Sequence, residues 1–152
     1  MVAQQADSKC ASGEKSYIIQ GDPIPWQRAG RSGPRLYDKQ KMEKIMWGCL
    51  FNKQFDGAIY EGPIKVDLTF HMRISKTLEK KYGPSLEGAS HFFAPDNDNL
   101  QKFLLDALKG LAWKDDSIIA EIHSQKLWSY DPRTVIVITP MRDFRFSDCL
   151  SK

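Results

Sequence analysis

Cysteine is scarce, and the three present, Cys10, Cys49 and Cys149, are odd in number and far apart. Such spacing supplies neither a disulfide framework nor a zinc-ligand pattern. A reduced, intracellular and therefore cytoplasmic setting is the simple expectation. Long apolar runs are missing as well. No stretch approaches the roughly 18 residues that a membrane helix needs, so no membrane partner is expected. Met1 to Ser16 lacks a hydrophobic core and does not read as a secretory signal. It is polar and rich in small residues, and reads as a disordered leader. The patterns HExxH, GxxxxGK[ST], GxSxG and paired CxxC are all absent, which removes the common zinc-protease, nucleotide-loop, serine-hydrolase and thiol readings. No small-molecule cofactor is expected. Internal repeats and low-complexity tracts are missing too.

What remains is ordinary in bulk and uneven in distribution. A length of 152 residues fits one domain, and 41% hydrophobic with 27% charged residues is the usual balance of a globular chain. The net charge of +3 says little by itself. Residues 1–95 carry 14 Lys/Arg against 10 Asp/Glu, while residues 96–152 carry 8 against 9. Trp26 to Lys44 concentrates Arg28, Arg31, Arg35, Lys39, Lys41 and Lys44 against only Asp38 and Glu43. Cations beside an acidic centre suit a metal-dependent nuclease, in which one set holds phosphates and the other holds metal. A solvated basic face is the plainer reading of the same charges.

The expected fold is α+β: a small mixed β-sheet carrying two main helices, in the order β-α-β-α-β-β. The expected domain spans residues 17–141, between the leader (1–16) and a polar tail (142–152) in which Phe144 and Phe146 are late anchors. Tyr17 to Gln20 reads as a strand stopped by Gly21-Asp22-Pro23. Arg28, Arg31 and Arg35, interspersed with Gly30, Gly33 and Pro34, read as a mobile arm suited to a phosphate backbone or as a plain surface loop. Asp38 is the expected N-cap of a helix to about Phe55, with Met42, Ile45, Met46, Cys49, Leu50 and Phe51 as its core face. Ile64 to Arg73 alternates as a half-buried strand. Ser75 to His91, with Lys76, Lys80 and Lys81, is long for a connection and reads as a flap that orders on DNA. Phe92-Phe93 fits core packing, or stacking on an unpaired base. A helix from about Asn97 to Lys109 buries Leu100, Phe103, Leu104, Ala107, Leu108 and Leu111, and Gly110 stops it. Ile118 to Trp128 and Arg133 to Thr139 are strands, turned by Asp131-Pro132.

The informative stretch is Pro95-Asp96-Asn97-Asp98-Asn99-Leu100-Gln101-Lys102, continued through Asp106 to Trp113-Lys114-Asp115-Asp116. Structural roles account for each acid taken singly. Asp96 can cap a helix, Asp98 can complement its dipole and pair with Lys102 at i, i+4, and Asp115-Asp116 can make a turn. Hard-cation chemistry accounts for them together. Mg²⁺ is usually held by one or two carboxylates plus substrate phosphate, and Asp96 and Asp98 can converge on one ion. Lys102 would then neutralise charge on the reacting phosphate. A calcium loop is excluded, because the glycine and the glutamate it requires are absent.

These residues resemble the RusA-type Holliday-junction resolvases, a family common in phages and prophages. The likeness is close over the 22 residues from Pro95 to Asp116 and looser around Pro23-Ile24-Pro25-Trp26 and the flanking strands. The composite D-x-D-N-L-x-K, then D-A-L, then W-x-D-D, is far more specific than a lone pair of acids. The resemblance implies a Mg²⁺-dependent homodimer, with Mn²⁺ able to substitute, that nicks two opposed strands of a four-way DNA junction in recombination and repair. It places the essential acids on Asp96, Asp98 and Asp116 and the active-site lysine on Lys102. The connection to the second acidic pair is one residue shorter than in the bacterial prototype, so Asp115 stays a further metal candidate. Arg28, Arg31, Arg35, Lys76, Lys80 and Lys81 are the expected DNA contacts.

Helix dimensions add one expectation. From Asp98 to Gly110 is roughly 18 Å at about 1.5 Å per residue. Either the chain folds sharply back after Gly110, or Asp116 joins the metal site of the other subunit. The second is favoured, because a two-fold dimer sets two sites symmetrically. The competing readings are a non-catalytic junction-binding protein of the same fold and a structural interaction protein.

Overall fold

Alternation of apolar residues along Ile64–Arg73 sets the centre of the molecule. In this computed structural model, which describes residues 13–142, that segment is strand β4, and Ile64, Val66, Leu68, Phe70 and Met72 are all buried along it. The intervening Lys65, Asp67, Thr69 and His71 are only half-buried, as a strand with one covered face requires. In chain order the elements are β1 (Lys15–Gln20), β2 (Gly30–Ser32), β3 (Arg35–Tyr37), α1 (Lys41–Asn52), β4 (Ile64–Arg73), α2 (Lys76–Tyr82), a 3₁₀ turn (Gly83–Leu86), α3 (Asn97–Leu108), a second 3₁₀ turn (Asp116–Ile118), β5 (Ile119–Ser129) and β6 (Arg133–Pro140). The main sheet runs β1-β6-β4-β5. β6 lies antiparallel between β1 and β4, and β5 lies parallel to β4. The sheet is therefore mixed, as expected. The tail anchors Phe144 and Phe146, with most of the leader, lie outside the described residues. β1 begins at Lys15, two residues before the expected domain edge.

Helices α1 and α3 pack on each other, α1 also against β1 and α3 against β5. Trp47 on α1 and Phe103 on α3 meet edge to face at 5.0 Å between centroids, and Tyr17 on β1 meets Phe51 on α1 at 4.8 Å. Most of the expected face of α3 is the observed one: Leu100, Phe103, Leu104, Ala107 and Leu108 are buried, while Leu111 lies beyond the helix and is only half-buried.

Four local expectations need correcting. Helix α1 starts at Lys41 with Gln40 as its N-cap, and Asp38 instead accepts a hydrogen bond from the Gln40 amide at 2.9 Å. Its buried residues are Trp47, Gly48 and Phe51, while Met42, Ile45, Met46 and Cys49 are exposed. Two aromatic rings four residues apart remove more apolar area than the methionines. Gly48 lets the helix close on Leu111, where an added Cβ would lie 2.7 Å from a methyl. The arginine arm is an antiparallel hairpin, β2–β3, turning through Gly33-Pro34. Gly33 has φ +62, which the first central position of a II′ turn demands. The expected flap carries helix α2, capped by the Ser75 hydroxyl, which accepts from the Leu78 amide. β5 and β6 lie on either side of β4 in the sheet.

Strand β5 ends the main sheet, and residues 88–91 cover part of its edge. The amides of Gly88 and His91 donate to the carbonyls of Trp128 and Lys126, and the Trp128 amide donates to Ala89. Covering an edge in this way hides backbone groups that would otherwise recruit another strand.

Candidate active site

The first turn of α3 is held from three sides. Asn97 accepts a hydrogen bond from the Ser124 hydroxyl at 2.7 Å, and Gln101 donates to the same hydroxyl at 2.5 Å. The Trp26 amide donates to the Asn99 carbonyl at 2.9 Å, which fixes the stem of the arginine hairpin beside α3. Just before the helix, the Lys126 ammonium donates to the carbonyls of Phe93 and Pro95, at 2.6 and 2.7 Å. Lys126 was not legible as a site residue, because it sits at an ordinary alternating position of β5. Its role is to lock the chain that enters the helix.

Within that frame Asp96 and Asp98 are exposed and uncommitted. Asp96 occupies the N-cap position with extended backbone, yet its side chain makes no capping hydrogen bond. Asp98 forms no ion pair with Lys102 or with any other described residue. Lys102 instead lies over the Trp26 ring, 5.2 Å from its centroid. That contact positions the ammonium without neutralising it. The capping and pairing roles that would explain this stretch as plain helix chemistry are thus not taken up. Asp106, one turn further along, is engaged: its carboxylate lies 3.7 Å from Lys44, which also pairs with Asp38 at 2.8 Å. That hydrogen bond from Lys44 lowers the Asp38 pKa. Buried Gln40 fastens the hairpin stem, accepting from the Gln27 amide and donating to the Pro25 carbonyl.

The second acidic pair sits at the opposite end of α3. Asp115 caps the 3₁₀ turn by accepting from the Ser117 amide at 3.1 Å, and it pairs with Lys109 at 3.2 Å. Hydrogen bonding to Ser117, then to Lys109, holds its pKa down at about 2. Asp116 accepts from the indole N–H of Trp113 at 2.8 Å, and Trp113 is fully buried. The chain does turn after Gly110, whose amide donates to the Trp113 carbonyl. The turn keeps Asp115 against Lys109, roughly 16 Å along the helix axis from Asp98. Among the described residues no group of three or more His, Cys, Asp or Glu comes together in one chain. Asp96 and Asp98 share the mouth of α3, and Asp116 lies beyond its other end.

The expected DNA-contacting residues are all exposed. Arg28, Arg31, Arg35, Lys76, Lys80 and Lys81 have no ion-pair partner among the described residues. Lys81 alone has an aromatic contact, with its ammonium 5.2 Å from the Tyr82 ring centre. Carboxylates without cations, on a surface that also carries cations without carboxylates, fit a protein built to meet a polyanion. Comparison with known proteins gives the family. The model "Endodeoxyribonuclease RusA" matches residues 21–139, and the chain belongs to the RusA endodeoxyribonuclease family. The resemblance carried by Pro95 to Asp116 therefore holds for most of the chain. The sequence is also 28% identical over 125 residues to the uncharacterized protein YqaN of Bacillus subtilis (strain 168), covering 80% of this chain and 88% of the relative.

Proposed function

We propose that this protein is a Mg²⁺-dependent, structure-selective endodeoxyribonuclease that resolves four-way DNA junctions by paired symmetric nicks, acting as a homodimer in recombination and repair in the cytoplasm. The observation that carries the reading is the carboxylates of Asp96 and Asp98, exposed at the mouth of α3 and without a hydrogen-bond or ion-pair partner among the described residues. Surface carboxylates with no hydrogen-bond or ion-pair partner fit the one or two that Mg²⁺ takes alongside substrate phosphate. When bound there, the ion supplies Lewis-acid polarisation of the phosphoryl group and a lowered pKa for an attacking water. The chain's own residues do the remainder. Lys102, poised over Trp26, neutralises charge that develops on the phosphate. The exposed Arg28, Arg31 and Arg35, with Lys76, Lys80 and Lys81 of α2, hold neighbouring phosphates.

Asp116 completes the site from the partner subunit. Its Oδ1 is oriented by the Trp113 indole, which leaves Oδ2 for a ligand, an arrangement in keeping with a ligating carboxylate that is itself hydrogen-bonded. The length of α3 supports this sharing, since one chain holds its two acidic ends roughly 16 Å apart. A two-fold dimer then sets two composite sites symmetrically.

The test is nicking of a synthetic four-way junction beside a linear duplex, with Mg²⁺, with Mn²⁺ and with EDTA. Paired nicks on the junction in either metal, and none in EDTA, are expected. Tight, salt-sensitive junction binding without cleavage in any divalent metal would replace this reading with the non-catalytic binding protein.

A further inference from the structure

Helix α2 and the chain leading into α3 enclose a second feature, which the metal chemistry leaves unused. Leu78, Tyr82, Leu86, Phe92, Phe93 and Trp128 line a cavity of about 270 Å³. It lies below the about 300–1,000 Å³ of pockets that take drug-sized ligands, so a single flat ring suits it better than an extended molecule. Its walls are aromatic. Phe92 and Phe93 have centroids 4.8 Å apart, Phe93 meets Trp128 edge-on at 5.7 Å, and His91 backs Trp128 at 4.3 Å. Burial pushes the His91 pKa down, which favours an uncharged ring behind the wall. Yet the mouth is open: Phe92 is 80% exposed, Tyr82 52% and Phe93 49%. Core packing, the plainer expectation for Phe92-Phe93, is not what these two rings do.

We infer that this pocket receives one unstacked nucleobase of the DNA strand whose backbone lies on the Asp96–Asp98 site. Three observations select that occupant. The helix whose Leu78 and Tyr82 line the pocket also carries Lys76, Lys80 and Lys81, exposed and without ion-pair partners among the described residues. A flat apolar ring on an anionic backbone matches that juxtaposition, since single-strand sites combine stacking rings with a cationic track. Phe93 stands three residues before Asp96, so their Cα atoms lie within about 11 Å of each other. Lys126 clamps the carbonyls of both Phe93 and Pro95, which makes pocket and acidic mouth one rigid unit. Bases inside a duplex keep their faces stacked, so the pocket selects DNA whose bases have come apart, as at a branch point.

The inference rests on the nuclease reading for its position beside the scissile strand. It is tested without cleavage. Metal-free protein is bound to a four-way junction carrying 5-iodouracil at the branch point, to a short single strand and to a duplex, then irradiated and mapped by mass spectrometry. Crosslinks are expected on Phe92, Phe93, Tyr82 or Trp128. Phe92→Ala is expected to bind the junction and the single strand about 5- to 150-fold more weakly, the range for losing one stacked base. Duplex binding should be unchanged, and Phe92→Trp should restore affinity. Phe92 is mostly exposed, so its thermal melting should match wild type. Crosslinks confined to other residues, or a Phe92→Ala protein that binds junction and single strand like wild type, would overturn the inference. So would a change of oligomeric state in Phe92→Glu, which would give the pocket to a second copy of the chain. Wild-type protein that crosslinks at the pocket but never cuts a junction would defeat the nuclease reading and leave the base pocket standing. Efficient cutting with an indifferent Phe92→Ala would do the reverse.

Discussion

The two ends of α3 carry similar residues and treat them oppositely. At its start the carboxylates of Asp96 and Asp98 are exposed and unbonded among the described residues. Beyond its end Asp115 caps a turn and pairs with Lys109, and Asp116 accepts from a buried indole. Acidic residues close in sequence are therefore not one kind of feature. An acid whose hydrogen-bonding capacity is spent within the chain stabilises the fold. An acid held on a rigid helix mouth with that capacity unspent is available to something outside the chain. Asp116 belongs to both groups, since one of its oxygens is engaged and the other is not.

Breaking the free end should damage chemistry and spare stability. Asp98→Asn is expected to lower junction cleavage by at least about 10²-fold, while thermal unfolding and junction binding in EDTA stay near wild type. A large loss of stability in that variant would show that Asp98 has a structural partner after all. The engaged end should respond in the opposite sense. Asp116→Ala leaves the Trp113 N–H buried without an acceptor, at a cost of about 1–3 kcal/mol in denaturant unfolding. Asp116→Asn keeps an acceptor oxygen and should recover most of that stability. Cleavage should stay lost in both, so the pair separates the carboxylate's charge from its hydrogen bond.

The smallest expected effect is a pH dependence at Asp115. Its folded pKa, about 2, lies below the ordinary 3.8. The depressed value means that the charged form is favoured in the folded state. Its stabilisation is complete above pH about 4 and fades as pH falls toward about 2. The melting temperatures of wild type and Asp115→Asn should therefore converge through that window. A difference that persists unchanged at the acid end would contradict the assignment. The carboxylate is about half exposed, and salt should weaken the effect.

Much of this arrangement was legible in the sequence, for reasons that differ by element. β4 could be read because its alternation has period two over ten residues. α3 could be read because Leu100, Phe103, Leu104, Ala107 and Leu108 make one stripe with Gly110 behind it. The face of α1 could not, since Met42, Ile45 and Met46 share helical spacing with the residues that are buried, and only packing against α3 chooses Trp47 and Phe51. α2 is seven residues long, rich in lysine and without a buried residue, so no periodicity announces it. Ser75 ahead of Lys-Thr-Leu-Glu is the cap signal that was there to find. At Gly30 an added Cβ would run into the Tyr37 ring, a close approach that only the folded hairpin reveals. In the acidic stretch, spacing alone fitted capping and surface pairing better than metal binding. The two are separated by which hydrogen bonds each carboxylate makes, and that depends on tertiary surroundings.

The most direct test of a shared site joins the two ends of α3 across subunits. Asp96→Asn and Asp116→Asn chains, each inactive alone, are co-expressed with different tags, and the mixed dimer is purified through both. Each mixed dimer should hold one intact site and nick the junction once in Mg²⁺. Mixed dimers that form and bind the junction but never nick it would contradict the account, and would return Asp116 to the metal site of its own chain or to structure alone.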